Sequence, residues 1–144
     1  MTGRNTLSLA VERRRIPARS MQGAIVLAKL PLPPPVVSLF EIERGKGQLQ
    51  SRAYREWVQI VSRLVAAQRP QRIRGPVAVT LTFERGRTRT DIDNLAKAPL
   101  DLLVALGLIE ASDAHIVRRV VLQWGAVEGM QVNVQSSKEG AGNG

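Results

Sequence analysis

The sequence predicts an α/β (α+β) domain built on a single small mixed β-sheet, in the order β-α-β-α-β-β, with helices packed on one face. Three observations predict it. Residues 76–84, PVAVTLTFE, alternate between apolar and small or polar side chains, the period of a half-buried strand. Residues 51–68 carry an apolar stripe at helical spacing, and a second helix-like run ends near Leu106. Two β-branched runs then close the chain, at 115–124 and 130–135. Sheet and helices each have one apolar side, and stacking them in layers buries both.

In order, residues 1–23 read as a basic arm, with Arg4, Arg13, Arg14, Arg15 and Arg19 against Glu12 as its one acid. The domain is expected over 24–136. Ala24–Leu30 is its first strand, and the LPLPPP run after it, lacking amide donors, is extended and at an edge. Residues 45–50, GKGQLQ, read as a flexible basic loop. Ser51 is the expected N-cap of a helix reaching about Gln68, with Trp57, Ile60, Val61, Leu64 and Val65 as its buried stripe. In the strand at 76–84, Val77, Val79, Leu81 and Phe83 share one face. The loop after it, RGRTRT, delivers arginines to the acidic residues that follow. A second helix ends in a turn at Gly107. The strand at 115–124 is expected to turn through 125–129 and pair with 130–135 as a hairpin. Residues 137–144 are a polar, glycine-rich tail.

Composition narrows the partners. The chain has 144 residues, enough for one domain with a real core, and is 44% hydrophobic. It has no cysteine, which excludes disulfides and cysteine-based zinc sites. A net charge of +9 and a pI near 11.4 favour a polyanion, because lysine and arginine displace counterions from phosphates. Aromatic residues are 3% of the chain, too few for a base-stacking platform of the kind that reads single strands, so backbone and shape recognition is expected. No apolar run approaches the ~18 residues of a membrane span, and Ala24–Leu30 lacks the pattern of a cleaved leader. The expected location is the cytoplasm.

The chemistry concentrates in residues 88–115. Asp91 and Asp93 are two residues apart, Lys97 follows Asp93 by four, and Asp113 comes from a later element. Hard carboxylate oxygens suit Mg²⁺ or Mn²⁺, and such an ion activates water and offsets phosphate charge. Arg87, Arg89 and Lys46 are candidate phosphate contacts. A plainer reading keeps Asp93 as a helix N-cap paired with Lys97, and Asp91 as a loop residue. A calcium loop from Asp91 fails, since Ala96 and Leu102 stand where glycine and glutamate would be required. His115, the sole histidine, reads as a solvated strand-end residue.

The run RTDIDNLAKAPLDLLVALGLIEASDAHIV resembles the RusA family of Holliday junction resolvases, whose signature is roughly DxDN-xx-K, a helix, then G(V/I)xxDDxxI. The LPLPPP, SRAYREW and VAVTLTF segments are similar to that family too, so the likeness covers about residues 24–135. It implies a homodimeric, Mg²⁺-dependent endonuclease that cuts four-way DNA junctions with paired nicks in recombination and repair. By position it assigns Asp91, Asp93 and Asp113 as catalytic and metal-binding acids, Lys97 as the catalytic lysine, and Asn94 as structural. Two departures stand out. The paired distal acids appear as Ser112-Asp113 with one extra residue after Gly107, leaving Glu110 as the alternative acid. Pro99 falls inside the helix expected to carry Lys97, where an interior proline costs ~3 kcal/mol; a helix starting near Ala98 would leave Lys97 in the loop. The alternatives are a weakened or inactive junction-binding member, a non-catalytic nucleic-acid binder, and a structural domain.

Overall fold

The computed structural model describes residues 23–43 and 47–137. The expected arm, Lys46 and most of the tail lie outside them. Strand β1 (Ala24–Leu30) leads through the proline run and a 3-10 turn (Val36–Ser38) to β2 (Phe40–Glu43) and β3 (Gly47–Gln50). Helix α1 (Arg52–Gln68), β4 (Val77–Glu84), a 3-10 turn (Ile92–Leu95), α2 (Lys97–Ala105), β5 (Val117–Gly125) and β6 (Met130–Ser136) follow.

The expected mixed sheet with two helices forms. Its strand order is β1-β6-β4-β5, antiparallel except for the parallel pair β4 and β5. One face carries Ile25, Leu27, Val77, Val79, Leu81, Phe83, Met130, Val132 and Val134, all buried in one cluster with α1 and α2. The other face carries Ala78, Thr80, Thr82, Gln123, Gln131 and Asn133 around an open cavity. The alternation in PVAVTLTFE therefore reports one fully buried face and one mostly half-buried face, on which Thr82 alone of the strand's residues is buried.

Two expectations are corrected, one a pairing and one a loop. Residues 125–129 do not make a hairpin, because β6 pairs with β4 and β1 while β5 pairs with β4. The connection instead straddles the end of β4: Arg85 N donates to Gly125 O at 3.0 Å, and Glu84 N to Gly129 O at 2.8 Å. Crossing one intervening strand takes ~10 Å, within reach of four residues. The Glu84 side chain seals this crossing by accepting from Gly129 N at 2.7 Å. Gly129 sits at φ +66° against the Leu30 carbonyl, so a Cβ would collide with backbone. Residues 47–50, expected to be loop, instead form β3 against β2.

Helix α1 keeps its expected bounds. Ser51 Oγ accepts from Tyr54 N at 3.1 Å and donates to Ser38 O at 2.6 Å, joining the cap to the preceding turn. Its buried side is Tyr54, Trp57, Val61 and Val65. Ile60 and Leu64, expected in the core, are 50% and 37% exposed. The helix lies on the sheet along a narrower line than the apolar stripe drawn from spacing alone. Two side chains tie it to the first strand. Trp57 Nε1 donates to Pro31 O at 3.0 Å, holding the proline run. Gln68 bonds both Ala28 N and Ala28 O at 3.0 Å, serving backbone groups where Lys29, at φ 59°, breaks the β1 register.

Candidate functional site

The arginine loop, Asp91 and Asp93 follow the carboxyl end of β4, a central strand held by β5 and β6. Burial of Phe83 on the helix-facing side anchors the strand end. Gly86, at φ +81°, turns the chain. Thr88 Oγ1 then accepts from Thr90 N at 3.1 Å and lies 3.1 Å from Thr90 Oγ1, a local hydroxyl turn. Asp91 is extended (φ −62°, ψ 142°), and its carbonyl accepts from Asn94 N at 3.0 Å to open the 3-10 turn. Asp93 lies in that turn, which buried Leu95 fastens to the core.

Asp91 and Asp93 are both exposed and, among the described residues, form no ion pair. The cap expected of Asp93 does not form. The residue before α2 is Ala96, and the helix begins only at Lys97. The plainer Asp93–Lys97 pair is absent as well: Lys97 Nζ lies 3.1 Å from Asp101 Oδ2. Pro99 therefore falls in the first turn of α2, where an amide donor has no partner to lose, and it is buried. At the other end, Leu106 N bonds Leu102 O and Leu108 N bonds Leu103 O, both at 2.9 Å, around the expected turn at Gly107, φ +74°.

Asp113 is exposed and lies in the turn before β5. Its Oδ1 accepts from His115 N at 3.0 Å, and its carbonyl accepts from Val117 N at 2.8 Å. These bonds start the strand two residues later than its sequence suggests. His115 is exposed and precedes the strand. Glu110 is exposed too. Among the described residues no three His, Asp or Glu side chains are close enough to share one metal ion. Asp91, Asp93 and Asp113 are thus not gathered into one three-carboxylate centre. The donor chemistry of the Asp91 and Asp93 pair still suits a cation such as Mg²⁺, which binds one or two carboxylates and completes its shell with water and substrate oxygens.

Positive charge surrounds the pair. Arg85, Arg87 and Arg89 are exposed on the loop, and Arg87 alone of these makes an ion pair among the described residues, 3.7 Å from Glu84. Two neighbours were not singled out from sequence. Asp101 engages Lys97, a helical i,i+4 pair that spacing alone would have revealed. Trp124, from β5, lines a cavity of about 380 Å³ shared with Arg85, Arg89, Asp91 and Ile92. No sequence signal foretells that contact, because it depends on the parallel pairing of β4 with β5.

No helix among the described residues is long and apolar enough to cross a membrane. No curated protein matches the chain. The model of the family described as endodeoxyribonuclease RusA matches residues 33–135, from the proline run to the end of the last strand and well over half of the chain. The match includes the whole acidic and basic constellation. The chain belongs to the RusA endodeoxyribonuclease family.

Proposed function

We propose that this chain is a metal-dependent, structure-selective endonuclease that resolves four-way DNA junctions by paired phosphodiester hydrolysis, in recombination and repair in the cytoplasm. The observation that carries the reading is the family match across residues 33–135, a span that contains Asp91, Asp93, Asn94 and Lys97.

Asp91 and Asp93 would hold Mg²⁺ or Mn²⁺, whereas Asp113 stands before the amino end of β5, at the far end of the parallel β4 and β5 pair from the Asp91 loop. A cation held by Asp91 and Asp93 would lower the pKa of bound water and offset negative charge on the phosphate under attack. Lys97, half-exposed at the start of α2, places an ammonium beside the acidic turn for a phosphate or leaving oxygen. Asp101 sets its position through their ion pair. Arg87 and Arg89, with Lys46, hold flanking phosphates without reading sequence. A homodimer presents two such sites to the two-fold symmetry of a four-way junction; light scattering at working concentration reads that state.

The test is cleavage of a synthetic four-way junction beside a linear duplex of the same arms, in Mg²⁺ or Mn²⁺. The expected result is paired nicks on the junction alone, reduced about 10²–10³-fold by Asp93→Asn. The ungathered acids and the Lys97–Asp101 pair favour one second reading, a weakened or inactive member that binds junctions. Tight, salt-sensitive binding with no cutting in either ion would select it.

A further inference from the structure

The cavity beside the acidic turn has walls of two kinds. Ile92 and Trp124 contribute apolar surface, and Arg85 and Arg89 contribute positive charge. Asp91 lines it as well, so its occupant touches the residue assigned to the chemistry. Trp124 is half-buried. Its ring meets Phe83 edge-on, with centroids 6.1 Å apart and planes at 62°. That contact fixes the indole from one side while the ring still lines the cavity. Among the described residues Arg85 and Arg89 have no acidic partner.

A phosphate alone would use the arginines and leave the indole idle. A free carboxylate would do the same, and a neutral sugar would leave the guanidinium charge without a partner. A nucleobase attached to a phosphodiester uses both, since every base has a stackable π-face and its backbone is anionic. A junction also supplies such a base cheaply: at the exchange point pairs sit at helix ends, where unpairing and unstacking cost least. The low aromatic content of the chain excludes a stacking track, and one indole serves one base.

We propose that Trp124, with Ile92 and the guanidinium groups of Arg85 and Arg89, holds a single unstacked nucleobase of the DNA strand next to the bond that is cut. This rests on the nuclease reading above and adds to it a base-holding pocket. Capture of that base positions the adjoining phosphate at Asp91 and Asp93, which makes Trp124 a positioning residue.

The experiment compares wild type, Trp124→Phe and Trp124→Ala on junctions that are intact or abasic at the nucleotide beside the cut. The abasic site is expected to lower kcat/KM of wild type roughly tenfold, to affect Trp124→Phe to a smaller extent, and to cause no further loss in Trp124→Ala. Equal losses in all three proteins, or none in wild type, would overturn the proposal. A second readout needs neither cleavage nor the alanine variant. Junction binding should quench tryptophan emission of wild type, the abasic junction should quench it far less, and Trp124→Phe should abolish the difference. Equal quenching by both junctions would also overturn it. If wild type binds junctions without cutting them, the nuclease reading fails while the emission result still decides the pocket.

Discussion

Tyr54 is the only tyrosine in the chain and is 4% exposed. Burial, and secondarily the charge of Asp101, raise its pKa above the usual 10.0. The folded state thus holds the phenol neutral where the unfolded chain would ionise it. The resulting stability is complete below the unfolded pKa near 10 and is lost as pH rises through the folded value. Tyr54→Phe should flatten this alkaline loss, seen in thermal melts from pH 8 upward. Absorbance near 295 nm reports the single phenol directly, and Asp101→Asn should move its titration toward lower pH. An unchanged midpoint would remove Asp101 from its surroundings. The same Asp101 carboxylate engages Lys97, so one acid joins core and site. Spacing alone exposes the Asp101–Lys97 pair, whereas the approach of Asp101 to Tyr54 requires α1 and α2 to pack together.

At the scale of elements, each helix start is decided by a different device. Helix α1 starts on a side-chain cap that also bonds the Ser38 carbonyl, so Ser51→Ala loses two hydrogen bonds at once. The expected cost is about 1–2 kcal/mol in denaturant unfolding, the upper part of the range for a cap. Helix α2 starts on backbone alone after a 3-10 turn, and this placement removes the penalty foreseen for Pro99. Pro99→Ala should therefore bring no gain in stability, since the buried ring is lost with no helix strain to relieve, whereas replacing a truly interior helix proline would recover about 3 kcal/mol. A gain near the larger figure would mean that the helix begins upstream of Lys97. The α1 boundaries were legible because Ser51 and the apolar spacing act locally. The start of α2 was not, since a DxDN run serves equally as a helix cap or as a tight turn, and burial of Leu95 favours the turn.

For the whole molecule, the net charge of +9 and the arginine loop predict that junction binding weakens steeply with salt. Arg87→Ala and Arg89→Ala should each reduce the slope of log K against log salt by about 1, read by fluorescence anisotropy across a salt series. A slope that neither substitution changes would place the phosphates elsewhere on the surface. Residue order alone was enough to read the class of fold, the strands and helices with strong periodicity, the basic character and the acidic motif with its lysine. Each of these rests on composition or on contacts within a few residues. The folded chain was needed to show that β6 slots between β1 and β4, that residues 47–50 pair with β2, and that Trp124 meets the Asp91 loop. It also set Asp113 at the amino end of β5, away from the Asp91 loop. The physical reason is common to all four. Strand order and side-chain convergence depend on which distant surfaces gain most by burial and hydrogen bonding together, and a local pattern records a strand's two faces but not its neighbours.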